Sequence, residues 1–143
     1  MYTVVLAIDT QDHALEDAID FVKSLPGEVS VVVTHSRKDI DVVGSDGGRI
    51  SIDHEEFEIP DAFGAAVSAL TEAGLDVTED VRVGEVTEQI VEVICEHDAD
   101  QLVLPARKRS PVGKAVFGSR TLDLIHDSPV PVTIVTEQGT DER

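Results

Sequence analysis

The sequence predicts an α/β domain in which a parallel sheet carries helices on both faces, and three observations support this. Short runs of Val, Ile and Leu alternate with stretches whose apolar residues recur at helical spacing. The central runs are apolar at successive positions, as in Val31-Val32-Val33, the pattern of strands buried on both faces. The resulting order, β-α-β-α-β-α-β-α-β, is that of a doubly wound, five-stranded sheet with right-handed crossovers.

The first strand is Tyr2 to Ile8, rich in β-branched residues and closed by Asp9-Thr10. Thr10 is placed to cap a helix in which Leu15, Ala18, Ile19, Val22 and Leu25 share one face, and Pro26-Gly27 stops it. Val29 to Thr34 is the second strand. From His35 to Glu58 no period is sustained, and Gly44, Gly47 and Gly48 mark a long surface loop with an extended piece at Arg49 to Ile52. Pro60 suits the first turn of a helix that runs through Phe63, Val67 and Leu70 to Gly74. Leu75 to Val83 alternates apolar and acidic residues, as an edge strand does. Glu85 to His97 is an amphipathic helix, Gln101 to Leu104 the fourth strand, Gly113 or Lys114 to His126 the fourth helix, and Val130 to Val135 the fifth strand. Residues 137–143 form a polar tail beyond a single domain of residues 1–136.

Composition narrows the function. Hydrophobic residues make up 41% of the 143, enough for one sizeable core, whereas aromatics at 3% leave that core to aliphatic side chains. The formal charge of −18 repels phosphate backbones and anionic lipid surfaces, so neither nucleic acid nor membrane is an expected partner. Four lysines against twenty-nine acids fit a halophilic protein, because high salt screens the self-repulsion of an acidic surface. No signal peptide precedes the first strand and no apolar run approaches a membrane span, so a cytoplasmic location is expected.

Against that acidity one stretch stands out. From Arg107 to Arg120 the chain carries Arg107, Lys108, Arg109, Lys114 and Arg120 and no acid. It leaves the carboxyl end of the fourth strand and reaches Gly118-Ser119 around a helix start. Ligands of doubly wound sheets bind at such strand ends, at the point where the winding reverses. Helix N-terminal amides, a serine hydroxyl and adjacent cations form a site for an anion, phosphate above all. A solvated basic loop that pairs with acids elsewhere is the plainer alternative. Asp9 closes the first strand at the same sheet edge, where a carboxylate can accept a bond from a sugar hydroxyl or a base amine; it also suits the start of a helix by charge alone.

Three blocks carry a resemblance to a known family. Val4-Val5-Leu6-Ala7-Ile8-Asp9, then Gly84-Glu85-Val86-Thr87-Glu88-Gln89-Ile90 through Ala99-Asp100-Gln101-Leu102-Val103-Leu104, then Ser128-Pro129-Val130-Pro131-Val132 resemble, in this order, the universal stress proteins. Ala7 stands where a proline is frequent in that family. Nucleotide-binding members carry a glycine, two residues, a second glycine, nine residues, then Gly-Ser or Gly-Thr. Anchored on Gly118-Ser119, the first two glycines fall on Pro105 and Lys108, so both are missing. The resemblance implies the fold, and it implies ATP or AMP near Asp9 and near Ser36, just past strand two, with Gly118, Ser119 and Thr121 facing the phosphates. Arg107 and Lys108 join this set on charge. Pro105 has no N–H to donate and Lys108 brings a side chain where phosphate oxygens would rest. A remodelled anion site and a lost one, in a dimer acting through partners, both stay open.

The remaining candidates have simpler roles. His13, His35, His54, His97 and His126 show no metal-ligand spacing on one helix, so no metal is expected. Cys95, the single cysteine, falls on the inward side of its helix as a small core residue. No Gly-x-Ser-x-Gly elbow, Walker loop or paired carboxylates occur, so no enzymatic activity is expected. With strands ordered 3-2-1-4-5, Val130 to Val135 lies at an apolar edge that invites pairing with a second copy, in agreement with the dimers typical of the family.

Overall fold

The computed structural model describes residues 1–8, 14–37, 59–106 and 119–136. Five parallel strands form one sheet in the order β3-β2-β1-β4-β5: β1 Tyr2–Ala7, β2 Val29–Arg37, β3 Asp76–Val83, β4 Gln101–Ala106 and β5 Val132–Thr136. The helices are α1 Leu15–Lys23, α2 Asp61–Glu72, α3 Val86–Glu96 and α4 Ser119–Asp127.

Alternation along each strand divides the core into two layers. Val4, Leu6 and Ile8 of β1 and Val31 and Val33 of β2 pack against α1 and α2 through Ala18, Ile19, Val22, Phe63 and Leu70. Val5 and Ala7, with Val32 and Leu102, face α3 and α4 through Ile90, Val93, Ile94 and Leu124. Leu6, Leu70, Ile94 and Leu102 are fully buried. Each such side chain contributes about 1.5–3 kcal/mol relative to exposure, which is how an aliphatic core serves without tryptophan.

Several boundaries differ from the sequence reading, each for a local reason. The first helix begins at Leu15, with Ala14 in the left-handed region at φ 61 and no side-chain cap; Thr10, expected to cap it, lies outside the described residues. The second strand continues through His35, Ser36 and Arg37, because β3 offers a pairing partner as far as Val83. Only residues 38–58 of the expected loop remain, and they lie outside the described residues. The fifth strand starts at Val132, since Ser128 Oγ bonds both the carbonyl and the amide of Val130 at 2.7 and 3.1 Å and holds that segment in a turn. Cys95 is exposed rather than buried: Val93 and Ile94 occupy the sheet-facing positions of α3 instead. Gly74 takes φ 90 after α2, letting the Leu75 amide bond back to the Leu70 carbonyl at 3.2 Å.

Candidate functional site

In a parallel sheet all carboxyl ends lie along one edge, and in this order the winding reverses between β1 and β4. A cleft opens there on the side of α3 and α4. Its walls include Ala7 and Ile8 at the end of β1, Ser36 of β2, Leu104 and Pro105 of β4, Val86 and Ile90 of α3, and Arg120, Thr121 and Leu124 of α4. Its volume of about 70 Å³ exceeds the roughly 10–15 Å³ one water needs, so a polar group several atoms across fits between the described walls.

The lip of the cleft is pinned by backbone geometry. The Ile8 amide donates to the Thr34 carbonyl at 2.9 Å, and the His35 Nδ1–H donates to the Ile8 carbonyl at 2.8 Å. Together these hold the chain where it leaves β1. His35 itself points to the α1 and α2 layer, whereas its neighbours Thr34 and Ser36 share the face of Val32 toward α3. Thr34 Oγ1 donates to the Asp80 carbonyl at 2.7 Å. Ser36 Oγ is buried and, among the described residues, has no hydrogen-bond partner.

The start of α3 forms the opposite wall. Glu85 caps it by accepting from the Glu88 amide at 2.8 Å. Thr87 lies one turn before Ile90 on the sheet-facing side, and its Oγ1 is likewise buried without a partner among the described residues. Sequence reasoning missed Thr87. A hydroxyl in a helix's first turn ordinarily reads as a helix-start residue, and only its burial here marks it out.

Arg82 pairs in register with Ser36, yet its charge is committed elsewhere. Its guanidinium grips Asp80 at 2.8 and 3.0 Å and reaches Glu96 at 2.7 Å on α3. His97 Nε2 lies 2.9 Å from the same Asp80 carboxylate. Hydrogen bonding to Arg82 above all, assisted by His97, holds the Asp80 carboxyl below its usual range, against a partial opposing effect of burial. The same arginine lowers the Glu96 carboxyl and is itself raised by Asp80 and Glu96. This network ties the outer strand β3 to α3.

Of the expected site residues, Ser36 and Thr121 stand in the cleft wall, and Ser119 opens α4. Asp9, Arg107, Lys108 and Gly118 lie outside the described residues. Among the described residues no group of His, Cys, Asp and Glu could hold a metal ion, and no helix is long and apolar enough to cross a membrane.

The profile of the universal stress protein family matches residues 1–136. The chain belongs to that family. A universal stress protein from Archaeoglobus fulgidus superposes with a TM-score of 0.71 at 30% identity, over 95% of this chain and 99% of that one. A universal stress protein from the same organism, in complex with dAMP, gives 0.68 at 26% identity, over 95% and 98%. A family protein from Arabidopsis thaliana with AMP bound shares the fold at 12% identity, with a TM-score of 0.65 over 100% and 97%. No curated protein matches the chain. The universal stress protein fold thus accounts for the sheet order and for the cleft at the β1 and β4 ends.

Proposed function

We propose that this universal stress protein is a regulatory, non-catalytic domain that holds an adenine nucleotide such as ATP or AMP, or another phosphate-bearing ligand, at the β1 and β4 ends. The observation that carries the reading is the cleft at the winding reversal, walled by Ser36, Pro105 and Thr121 and opening at the first turn of α4. The dAMP complex of the Archaeoglobus fulgidus relative supports it. On this reading Asp9 bonds the sugar or base, Ser36 lies beside the base, and Gly118, Ser119 and Thr121 face the phosphates. Arg107 and Lys108 supply the charge that the missing loop glycines would have complemented with amides.

Calorimetric titration of ATP and AMP into the full chain at high salt tests this. Saturable binding weakened by Ser119→Ala and Asp9→Ala is expected, and absence of heat with either nucleotide rejects the reading. A second reading, a partner-binding protein that has lost the nucleotide, is favoured by Pro105, which stands in the cleft wall without an amide to offer. Pro105→Gly with Lys108→Gly restores or tightens binding if the loop alone is at fault.

The same proposal includes a homodimer formed through the last strand, Val130–Val135, in a salty cytoplasm. The outer strand β3 is blunted by Asp76, Glu79, Asp80 and Arg82, whereas β5 presents Val132 and Ile134, half-buried, beside exposed Leu122 and Ile125 of α4. Ile134→Lys shifts the species seen by analytical ultracentrifugation to monomer if this edge pairs.

A further inference from the structure

No role falls to Arg120 from the family resemblance, yet it stands in the wall of the cleft. Among the described residues that line the cleft it alone carries a charge, beside the apolar Ile8, Ile90, Leu104 and Leu124. It is the second residue of α4. A helix start favours negative charge, and the other three helices follow that rule: Glu16 and Asp17 open α1, Asp61 opens α2 and Glu88 lies in the first turn of α3. The first turn of α4 has no acid and carries a guanidinium, against its own dipole. An anion bound there would offset that opposition, attracted by the cation and by the helix amides together.

Two further features of the same walls call for a polar guest and a new donor. Ser36 is 8% exposed, and its hydroxyl has no hydrogen-bond partner among the described residues. Pro105 lines the cleft where a loop amide would otherwise donate, and it has none. Arg120 is already engaged within the chain, but its fork of five N–H donors exceeds what one partner takes. A planar guanidinium matches two oxygens of one phosphate, whereas a lysine ammonium acts as a point charge. We infer that Arg120 clamps a phosphate of the ligand bidentately in place of the donor that Pro105 removes, and so makes the cleft prefer a nucleotide to its bare nucleoside. The inference rests on the nucleotide reading above and adds Arg120 to it as a specificity-determining contact.

The test titrates ATP and adenosine calorimetrically into the full chain as wild type, Arg120→Gln and Arg120→Lys, at one fixed salt concentration. Near-ultraviolet circular dichroism and urea unfolding check that each variant keeps its fold. Wild type is expected to bind ATP more tightly than adenosine. Arg120→Gln then weakens ATP about tenfold, the scale of one charge-assisted hydrogen bond, and leaves adenosine unchanged. Arg120→Lys keeps the charge without the fork and recovers only part of that loss. ATP affinity unaltered by Arg120→Gln overturns the inference while the nucleotide reading stands. Full recovery by Arg120→Lys overturns the bidentate clamp, because charge alone then suffices. Equal weakening of ATP and adenosine also overturns it, since the substitution then acts on the cleft as a whole. If wild type binds adenosine as tightly as ATP, no phosphate contact sets the preference and the inference is refuted. If neither probe binds wild type, the nucleotide reading itself falls, and this inference with it.

Discussion

A buried hydroxyl without a partner should make a protein less stable than its fold allows. Thr87→Val tests this most cleanly. The substitution replaces Oγ1 by a methyl of similar size on a residue that is 5% exposed and whose hydroxyl has no partner among the described residues. An unsatisfied buried hydroxyl costs about 1–3 kcal/mol, and a buried methyl adds up to about 0.8 kcal/mol. Threonine and valine have nearly the same helix propensity, so the backbone contributes little. Allowing for partial hydration, the ligand-free variant should gain about 1–2 kcal/mol. For a domain of this size that is a rise in Tm of roughly 3–7 °C.

The assay is thermal and urea unfolding followed by circular dichroism, without nucleotide, at one fixed high salt concentration. Thr34→Val is the matching control. It makes the same chemical change at a fully buried site, but there Oγ1 donates to the Asp80 carbonyl at 2.7 Å. It should therefore destabilise by about 1–2 kcal/mol, the cost of leaving that carbonyl unpaired. Opposite signs for one substitution at two buried threonines are the expected signature. If Thr87→Val destabilises as Thr34→Val does, the Thr87 hydroxyl is already bonded in the empty protein, through an ordered water for example, and the reasoning is refuted.

Three further perturbations have defined outcomes. Arg82→Leu removes the main cause of the lowered Asp80 carboxyl; because a depressed carboxyl contributes stability above its unfolded pKa and loses it as pH falls through the folded one, the deficit of this variant against wild type in urea unfolding should be largest near neutrality and shrink below pH about 4. Gly84→Ala places a Cβ 2.7 Å from the Gln89 side-chain nitrogen at a backbone φ of 151, and although that side chain can yield, the backbone strain should lower stability by about 1–3 kcal/mol in the same assay. Leu70→Ala, at a fully buried position of the α2 layer, should cost about 2–5 kcal/mol, with ATP titration unchanged wherever the variant is folded, since Leu70 is not a cleft residue.

The architecture was readable because each element states its environment locally. Val31-Val32-Val33 has no polar face to turn toward water, so it must be covered on both sides, and the structure covers it with both helix layers. Of the candidate site, Ser36 and Thr121, expected there from the family resemblance, line the cleft, one from the end of β2 and the other from the first turn of α4. Cys95 failed because two inward positions are available near the end of α3 and a small thiol competes poorly with Val93 and Ile94 for them. The end of β2 failed because pairing with β3 is a tertiary fact: His35 and Ser36 read as polar loop residues until Val81 and Arg82 are placed beside them. Thr87 was illegible for a related reason, since burial of a hydroxyl depends on the sheet packed beneath it.

The charge of the chain gives the proposed nucleotide site a further test. In a chain of formal charge −18, any cation that attracts a phosphate acts against a dense negative field, and salt weakens both effects together. On the nucleotide reading, raising salt should therefore reduce the contribution of the basic stretch, Arg107 to Arg120, to affinity, as read by ATP titration over a series of salt concentrations. An affinity indifferent to salt would mean that these cations do not hold the phosphates, and that the charge argument for Arg107 and Lys108 fails.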